Sequence, residues 1–468
     1  MTVEQIYTGC LAEATYFIQS NGEALVIDPL RETAPYIKKA KENNATIKYI
    51  FLTHFHADFV SGHVDLAKKS GATIVFGPNA TADFDFHSAK DNEEFKLGNL
   101  TIKLLHTPGH TMESSTYLLY DENGNQHCIF TGDTLFIGDV GRPDLAVKSS
   151  VSEEDLAGLL YDSLRNKIMP LDDTIIVYPA HGAGSACGKN MSKETFDTLG
   201  NQKLLNYALR SDMSKTEFIK ELTTDLAKPP QYFPKNVLMN QSVNIEIDSI
   251  LKKGTIAIDA NSFEKLNTDA TILTLDCRTQ KDFSESHIPN SLFIGLNGAF
   301  APWVGTLITD INQSIILVCP EGKEQEAVTR LARIGYDNSI GFLDGGIQSW
   351  IDAGFETDSV VSIQPSILEK NYNTISNLID IRKPGEYNSE HIKDIENLPL
   401  DFIYDLMGKY NPKKTYHIHC QGGYRSMIAS SILKANGIHN VIDIAGGFKL
   451  IKDTTNLEMV TQECSSNN

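Results

Sequence analysis

Eleven residues early in the chain, Thr53–His63 (T-H-F-H-A-D-F-V-S-G-H), constrain what it can fold into more than any other stretch. They follow the apolar run Tyr49–Leu52, which predicts a short buried strand. Side chains two residues apart at the end of an extended strand lie on the same side. The side chains of His54, His56 and Asp58 therefore converge where a strand opens into a loop, a common position for chemistry on a rigid scaffold. This arrangement predicts a metal site.

Three later strand ends carry further donors. They are His110 in T-P-G-H-T, Asp133 in F-T-G-D-T and His181 in Y-P-A-H-G, each placed after a predicted apolar strand. Proline and glycine beside each donor impose tight turns that direct the side chain to a fixed point. The recurrence of donors favours a metal centre over a histidine-rich surface turn.

Composition narrows the class of protein. The chain has 468 residues, which at about 150 residues per domain predicts about three domains. Its net charge of −19 argues against nucleic acid and anionic membranes as partners, because binding them needs basic patches. No apolar stretch is long enough to span a bilayer, and Met1–Gln19 does not have the pattern of a signal segment. Seven scattered cysteines do not form a disulfide framework, so we expect a cytoplasmic protein with reduced thiols.

The second half of the chain repeats itself. Leu275–Arg278 (L-D-C-R) returns as Ile379–Arg382 (I-D-I-R), and an apolar strand precedes both Cys319 and Cys420 at matching positions. Short apolar strands alternate with helices in each copy, which predicts a parallel, doubly wound α/β domain.

The repeat also predicts the domain boundaries. We expect a first domain at residues 1–240, two repeated domains at 241–357 and 358–456, and a polar tail at 457–468. The prolines of Lys228–Pro234 prevent a helix from continuing, so this stretch is predicted to be an ordered linker.

One cysteine of the second copy has the setting of a reactive thiol. Cys420 begins the loop C-Q-G-G-Y-R-S, between a predicted buried strand and a helix near Ser426. The glycines let successive backbone N–H groups point inward and bind an anion. Arg425 and the N-terminus of the helix favour the thiolate form of Cys420, so we expect a reactive thiolate at this position. The loop residues expected to bind this anion are Gln421, Gly422, Gly423 and Tyr424.

The loop of the first copy, C-P-E-G-K-E-Q, keeps the cysteine, Cys319, but not its surroundings. Glu324 stands where the second copy has Arg425, and Pro320 removes one N–H donor. The glutamates disfavour both a thiolate and a bound anion. We therefore expect the first copy to be inactive and to serve packing or docking.

The ordered motifs H-x-H-x-D, T-P-G-H, G-D and P-A-H resemble those of the metallo-β-lactamase superfamily over the whole first domain. The resemblance implies an αββα sandwich for that domain. Many members hold two zinc ions and carry a histidine directly after the motif aspartate. Phe59 occupies that position here, and an aromatic ring cannot replace the ligand, so we expect one metal ion.

Within the superfamily the chain looks most like the persulfide dioxygenases, by its segments H-A-D-F-V-S-G-H, G-D-V-G-R-P-D-L and P-A-H-G-A-G-S-A-C-G. That family is known for a single Fe(II) held by two histidines and one aspartate. Carried over by position, the iron ligands are His54, His110 and Asp133. Two imidazoles and a carboxylate on one face leave positions open for a sulfur substrate and dioxygen. The groups expected to orient the ligands or bind water, or alternatively to complete a zinc site, are His56, Asp58 and His181.

Two residues near these motifs have two interpretations each. Arg142, in G-D-V-G-R-P-D-L, could lie at the pocket mouth and bind an anionic persulfide, or could form a surface pair with Asp144. Cys187, in S-A-C-G, could line the pocket, or could be a small buried apolar residue.

Both copies carry D-x-R and H-I, and the second copy has E-Y where the first has D-F. With the C-x-x-G-x-R-S of the second copy, this pattern resembles that of the rhodanese sulfurtransferases over both copies. The whole fold is therefore predicted to be multidomain α+β and α/β: a metallo-β-lactamase sandwich followed by two doubly wound rhodanese-like domains. The resemblances imply an Fe(II) enzyme, with one iron per chain, that oxidises a small-molecule thiol persulfide with dioxygen to sulfite. Cys420 would make or use thiosulfate. The implied role is sulfide detoxification, and we expect a homo-oligomer.

Two other functions are compatible with parts of the chain. A zinc-dependent thioester hydrolase, like the hydroxyacylglutathione hydrolases, would use zinc to activate water. Phe59 and the fusion to a sulfur carrier argue against it. A non-catalytic sulfur-relay or sensing protein would use the repeated domains only for docking, and the complete donor sets at the metal site and at Cys420 argue against that.

Overall fold

The computed structural model describes residues 1–145, 151–226 and 228–461. The chain divides into two compact units, one of Met1–Ile247 together with Ala332–Gly335, and the other of the remaining residues. Over the described ranges, no helix has both the length and the apolar content that crossing a membrane requires.

The first unit is built on two six-stranded sheets. The first sheet has, in spatial order, β1 (Thr2–Thr8), β2 (Glu13–Ser20), β3 (Glu23–Ile27), β4 (Thr46–Phe51), β5 (Thr73–Phe76) and β6 (His87–Ser88). The second sheet runs in the spatial order β12-β11-β10-β9-β8-β7, with β7 (Glu94–Leu97), β8 (Leu100–His106), β9 (Ser115–Tyr120), β10 (Gln126–Gly132), β11 (Ile176–Pro179) and β12 (Asp197–Thr198). The helices of this unit are α1 (Ala34–Glu42), α2 (His63–Ser70), α3 (Glu153–Ser163), α4 (Leu199–Leu205), α5 (Lys215–Thr223) and α6 (Phe233–Asn240).

An apolar core lies between the two sheets. Phe51 of the first sheet stacks on Tyr117 of the second with ring centroids 4.5 Å apart, and Tyr16 contacts Phe130 at 4.9 Å. Burying side chains of this size stabilises the fold by about 2 to 3 kcal/mol each. Helices α1 and α2 pack on the outer face of the first sheet, and α3 and α5 on the outer face of the second. The predicted αββα sandwich is confirmed.

The predicted linker at Lys228–Pro234 is partly helical. Helix α6 begins at Phe233, so Pro234 lies in its first turn. A proline is tolerated there because the N–H groups of the first turn have no partner within the helix. The prolines therefore mark the start of a helix as well as the end of the preceding loop.

The second unit contains both repeated domains. The elements of the first copy are α7 (Ile247–Gly254), β13 (Ala257–Ile258), α8 (Ala260–Asn267), β14 (Ile272–Asp276), α9 (Gln280–Glu285), β15 (Leu292–Phe293), α10 (Phe300–Leu307), β16 (Ser314–Val318), α11 (Glu324–Arg333), β17 (Ser339–Leu343) and α12 (Gly346–Asp352). Those of the second copy are β18 (Val361–Ile363), α13 (Pro365–Asn371), β19 (Leu378–Asp380), α14 (Pro384–Ser389), β20 (His391–Ile392), β21 (Glu396–Asn397), β22 (Tyr416–His419), α15 (Tyr424–Ala435), β23 (Val441–Ile444), α16 (Gly447–Thr454) and β24 (Met459–Val460).

The two copies have the same sheet topology. The strand order is β13-β17-β16-β14-β15 in the first and β18-β23-β22-β19-β21 in the second, with all pairs parallel. This is the predicted doubly wound arrangement. The range 457–468, predicted as a polar tail, contains β24, which pairs with β20. Cys464 lies outside the described residues.

Candidate metal centre and sulfur-transfer loop

The three predicted iron ligands follow three strands of the first unit. His54 comes after β4, His110 after β8 and Asp133 after β10. All three side chains are buried, and their ligand atoms lie within 4.8 Å of one another. Asp133 Oδ2 is 3.4 Å from His110 Nε2 and 3.9 Å from His54 Nε2. The fold thus brings together two imidazoles and a carboxylate from both sheets.

Hydrogen bonds set the tautomer of His54. Asp28, which follows β3 in the left-handed region (φ 50°), accepts hydrogen bonds from the Thr53 N–H at 2.8 Å and the Thr53 hydroxyl at 2.7 Å. Because the hydroxyl donates its one proton to Asp28, its oxygen can only accept from His54 Nδ1, 3.0 Å away. Burial, followed by the neighbouring His56, keeps the pKa of His54 well below its ordinary value. His54 Nε2 therefore presents a lone pair to Asp133.

His110 is held in the same way by the backbone. Its Nδ1 donates to the carbonyl oxygen of Arg142 at 2.7 Å, which leaves the lone pair on Nε2. Gly141 lies against this ring: a Cβ at that position would collide with the carbonyl oxygen of Asp133 and lie 3.0 Å from His110 Nδ1. The glycine before Arg142 is therefore needed for close approach to two ligands.

Asp133 is a charged ligand with one oxygen left over. Burial by itself raises the pKa of Asp133, but His181, His110 and His54 outweigh it and hold that pKa well below its ordinary value. Asp133 Oδ1 accepts a hydrogen bond from His181 Nδ1 at 2.7 Å, whereas the buried Oδ2 has no hydrogen-bond partner among the described residues. Such an oxygen is costly to bury. A cation between this oxygen and the two imidazole lone pairs would satisfy all three, so the residues fit one iron or zinc ion.

A second group of donors, Asp58, His181 and Cys187, adjoins the first, with ligand atoms within 4.8 Å of one another. His181 Nε2 lies 2.8 Å from Asp58 Oδ2. Burial by itself lowers the pKa of His181, but Asp133 and Asp58 raise it well above its ordinary value. Burial also raises the pKa of the Cys187 thiol. His181 therefore lies between two carboxylates and orients Asp133 through its Nδ1, with the Cys187 thiol in the same group of donors.

His56 and Phe59 lie next to this centre. His56 Nε2 is 3.0 Å from Asp28 Oδ1, and its ring centroid is 4.3 Å from that of Phe59. His56 thus faces Asp28 and not Asp133. Phe59 is fully buried and offers no ligand atom where a second metal ion would need one.

Arg142 is engaged inside the protein. Its Nε and Nη2 donate to the two oxygens of Asp144 at 2.6 and 2.7 Å, and Nη1 donates to the carbonyl oxygen of Ala186 at 3.1 Å. The pair with Asp144 exists, but it is partly buried: the Arg142 side chain is buried and that of Asp144 is partly exposed. Binding of a persulfide by Arg142 stays a prediction.

In the second unit, Cys420 follows β22 and lies at the start of a tight turn. Its Sγ accepts a hydrogen bond from the Gly423 N–H at 3.1 Å. Gly423 has a φ of 95°, in the left-handed region that favours glycine, and α15 begins at the next residue. The backbone and the start of the helix therefore face the sulfur.

Arg425 does not act as a lone cation. Its Nη1 and Nη2 donate to the two carboxylate oxygens of Glu386 at 2.6 and 2.7 Å. Burial by itself raises the pKa of Glu386, but Arg425 outweighs it and lowers that pKa. The positive charge expected to favour the Cys420 thiolate is thus partly compensated by a neighbouring carboxylate.

The other predicted loop residues differ in their roles. Gln421 Oε1 accepts a hydrogen bond from Arg382 Nη1 at 3.2 Å. The Tyr424 hydroxyl donates to the carbonyl oxygen of Gly295 at 2.7 Å, and its ring contacts Phe293 edge to face at 5.9 Å. The side chain of Tyr424 therefore packs on the first copy and does not line the sulfur site, because only its backbone faces the loop. Gly422, like Gly423, leaves the loop open to an anion.

The loop of the first copy is arranged differently around Cys319. Helix α11 begins at Glu324, whose Oε1 accepts a hydrogen bond from the Gly322 N–H at 3.1 Å. A carboxylate thus stands at the start of the helix that would otherwise favour an anion. Burial, followed by the neighbouring Cys319, raises the pKa of Cys277.

Four residues of these sites were not assigned a role from the sequence. Asp28 follows an apolar strand as the other donors do, which is a signal that could have found it. Glu386 belongs to the repeated E-Y motif and Ser426 ends the C-x-x-G-x-R-S motif, but neither motif says what the residue contacts. Asp443 has no sequence signal, although its carboxylate lies 2.6 Å from the Ser426 hydroxyl.

Comparison with known families agrees with this geometry. Residues 8–181 match the metallo-beta-lactamase superfamily, and residues 259–353 and 364–454 each match the rhodanese-like domain. The matched ranges contain the metal centre and both cysteine loops.

Individual relatives include hydroxyacylglutathione hydrolases, persulfide dioxygenases and a metallo-beta-lactamase. A hydroxyacylglutathione hydrolase of Tolumonas auensis is 32% identical over 170 residues, which cover 36% of this chain and 60% of that protein. The mitochondrial persulfide dioxygenase ETHE1 of Homo sapiens is 30% identical over 234 residues, which cover 49% of this chain and 84% of that protein. The crystal structure of a metallo-beta-lactamase from Staphylococcus aureus subsp. aureus COL is 32% identical, with a TM-score of 0.64, and the match covers 73% of this chain and 98% of that one. The chain therefore spans only three fifths of the hydrolase's length.

Proposed function

This chain belongs to the metallo-beta-lactamase superfamily and carries two rhodanese-like domains, and from that premise we propose that it is an iron-dependent persulfide dioxygenase fused to a sulfurtransferase. The substrate would be a low-molecular-weight thiol persulfide. Persulfide, dioxygen and water would give the free thiol and sulfite. We further propose that the protein works in a reducing cytoplasm, because the six cysteines within the described residues are unpaired. We also propose that it forms a homo-oligomer.

One observation carries the proposal: Asp133 Oδ2, which has no hydrogen-bond partner in the described part of the chain, faces the Nε2 atoms of His54 and His110. Phe59 removes the usual donor of a second site. Two imidazoles and one carboxylate are the ligand set of non-haem iron oxygenases. Iron(II) held by these three residues would supply adjacent positions for a sulfur anion and dioxygen.

The chain's own residues prepare this centre. The Thr53 hydroxyl and the backbone of Arg142 hold the two ligand rings with Nε2 forward. His181 holds Asp133 through the other carboxylate oxygen, so the ligand keeps its orientation before the metal arrives.

Sulfur transfer would take place at Cys420. Its thiolate would attack the outer sulfur of a donor such as thiosulfate, whose S–S bond breaks with the electron pair leaving on sulfite. The resulting persulfide is an anion, and the Gly423 N–H that now contacts Sγ is placed to stabilise it. In the other direction, sulfite made in the first domain would accept that sulfur and give thiosulfate.

The test is metal analysis of protein purified without oxygen, with oxygen uptake measured on adding glutathione persulfide. We expect one iron per chain and uptake that is lost in Asp133→Asn, because the amide removes the charge of the third ligand. Cys420→Ser is the matched control in the other unit: it should keep iron and oxygen uptake and lose sulfur transfer from thiosulfate to cyanide. His110→Ala should lose iron and oxygen uptake and keep sulfur transfer from thiosulfate to cyanide.

A zinc-dependent thioester hydrolase is the second candidate, favoured by the donors Asp58, His181 and Cys187 beside the first three. It predicts two zinc ions per chain, rapid hydrolysis of a glutathione thioester and no oxygen uptake on persulfide. That result would contradict the dioxygenase.

A further inference from the structure

Behind the Cys420 loop lies a chain of buried polar groups. The Ser426 hydroxyl is 3.6 Å from Cys420 Sγ and 2.6 Å from Asp443 Oδ1, and Asp443 Oδ2 accepts a hydrogen bond from the Ser362 hydroxyl at 2.9 Å. Cys420, Ser426 and Asp443 are each at most 3% exposed. A carboxylate buried this deeply next to a reactive thiol is not explained by packing, because burying it is costly.

The Ser426 hydroxyl has one proton and three acceptors within reach. These are Asp443 Oδ1 at 2.6 Å, the Gly423 carbonyl oxygen at 3.1 Å and Cys420 Sγ at 3.6 Å. The ionised carboxylate is both the strongest and the closest acceptor, so the proton points to Asp443. The lone pairs of Ser426 then face the sulfur and can accept the thiol proton of Cys420.

We propose that Asp443 is a positioning residue for sulfur transfer that takes up the thiol proton of Cys420 through the hydroxyl of Ser426. The S–H bond of Cys420 breaks as its proton passes to Ser426 Oγ, and the former hydroxyl proton of Ser426 passes to Asp443 Oδ1. Cys420 becomes a thiolate, Asp443 becomes a neutral acid, and no electron is gained or lost. The Ser426 O–H now points to the sulfur and stabilises its negative charge.

This step keeps the total charge on Cys420 and Asp443 at one negative charge throughout sulfur transfer. The persulfide left on Cys420 is an anion, and a second anion on Asp443 would face it across a single hydroxyl. The protonated Asp443 removes that repulsion. Burial raises the pKa of Asp443 to about 6, although hydrogen bonds from the hydroxyls of Ser426 and Ser362 lower it in part. The carboxyl group of Asp443 can therefore change its protonation near neutral pH.

Two arginines at the loop are each paired with a carboxylate. Arg425 is bound to Glu386, and Arg382 to Asp380. Burial lowers the pKa of His419, which precedes Cys420, so this ring is neutral at pH 7. On the strands and helix that pack against Asp443, the side chains that hydrogen-bond to it within the described residues are hydroxyls.

The first copy lacks the relay. Phe342 pairs with Leu317 in the register where Asp443 pairs with Ile418, so a phenyl ring stands at the position of the carboxylate. Gln325 stands six residues after Cys319, where the second copy has Ser426. Cys319 is therefore an internal control within the same protein.

The experiment measures alkylation of the full-length protein by iodoacetamide as a function of pH, with each cysteine quantified by mass spectrometry. In the wild type the rate at Cys420 should rise in two steps, because thiol and carboxyl titrate as a coupled pair. Between the two steps the alkylation rate at Cys420 should change less than about twofold. The alkylation rate of an uncoupled thiol changes about tenfold per pH unit below its pKa. Asp443→Asn keeps an acceptor for Ser426 but cannot take up a proton, so it should show one step.

Ser426→Ala provides a second variant, which interrupts the relay while Asp443 stays ionisable. Its rate between the two steps should be about tenfold below that of the wild type, because the thiolate loses a hydrogen bond. A merely structural role of Asp443 would change the rate by the same factor at every pH. A single step in the wild type, a plateau that persists in Asp443→Asn, or the same two steps at Cys319 would overturn the proposal.

The proposal rests on the sulfurtransferase function of Cys420, and the two can fail separately. Alkylation needs no sulfur substrate. In parallel, the same protein is incubated with thiosulfate and Cys420 is analysed for a persulfide. If no persulfide forms, the sulfurtransferase function fails; if it forms and the wild type titrates in one step, only the relay fails.

Discussion

The two rhodanese-like copies share a frame and differ in one loop. In the first copy Arg278 Nη2 donates to Asp276 Oδ2 at 2.6 Å, and in the second Arg382 Nη2 donates to Asp380 Oδ2 at 2.7 Å. Each pair lies at the end of the equivalent strand, β14 or β19, in sheets of the same strand order. The frame is therefore the same with and without the complete sulfur loop.

The two copies also agree after helices α9 and α14, where each has a histidine with the same contacts. His287 donates through Nδ1 to the carbonyl oxygen of Phe283, and His391 to that of Tyr387, both at 2.8 Å, and each imidazole stacks on the aromatic ring four residues before it. The residues that build this frame are thus common to both copies, so a copy can differ in its cysteine loop and keep its fold.

The largest difference between the copies should be in sulfur transfer. Cys420→Ser should abolish transfer from thiosulfate to cyanide, because it removes the nucleophile. Cys319→Ser should leave the rate within about twofold, since its loop places Glu324 where the second copy has a cation. Trapping of persulfides by mass spectrometry tests this, and labelling of Cys319 comparable to that of Cys420 would show that both copies are active.

The shared frame should respond equally in both copies. Asp276→Asn and Asp380→Asn each leave a buried arginine without its charged partner, which costs about 3 kcal/mol or more. Hydrogen exchange measured by mass spectrometry over β14 and β19 should show similar losses of protection. A loss in only one copy would mean that the two ion pairs have different roles.

A smaller effect should distinguish the copies by pH. The pKa of Asp443 is raised by burial from 3.8 to about 6, so the folded state binds this proton more tightly than the unfolded state. Its stabilising contribution is complete below about pH 4 and is lost as the pH rises through about 6. At pH 7 the carboxylate therefore costs about 3 kcal/mol, which Asp443→Asn should recover.

Hydrogen exchange over β23, measured at pH 7 and at pH 5, tests this predicted dependence of stability on pH. The stabilisation by Asp443→Asn should be greater at pH 7. Strand β17, with Phe342 at the equivalent position, is the control and should not change. Equal stabilisation at both pH values would place the cause outside the ionisation of Asp443.

The smallest effect is expected from restoring one charge to the first copy. Glu324→Arg supplies the missing cation, but Pro320, Gln325 and Phe342 remain, so the loop still lacks an N–H donor and a proton acceptor. Labelling of Cys319 by thiosulfate should stay near its original level. A large gain would show that the cation alone separates the copies.

Much of the metal centre could be predicted because its ligands follow strands with apolar patterns and tight turns. His54, His110 and Asp133 lie close together as expected, although they are far apart in the sequence. The support could not be predicted: Asp28 reaches Thr53 only because β3 and β4 are adjacent and parallel, and sequence periodicity does not give that pairing.

The loops show the same limit. Arg425 was identified, but its pairing with Glu386 depends on where the first turn of α14 lies relative to α15. The direction of Tyr424 depends on the rotation of the first turn of α15, which a motif does not specify. The fold class followed from the repeat, because each copy preserves the order of strands and helices.

The position of Tyr424 has a consequence for genetics and for protein engineering. Its ring fills the space over Gly298, where a Cβ would collide with it, and the next residue in the chain is Arg425. A missense allele at Gly298 would displace the ring and shift the start of α15, so a screen would score a lesion in the first copy as a loss of sulfur transfer at Cys420. A gene shortened by removing that copy would lose the carbonyl oxygen of Gly295, the hydroxyl's acceptor, together with the ring of Phe293.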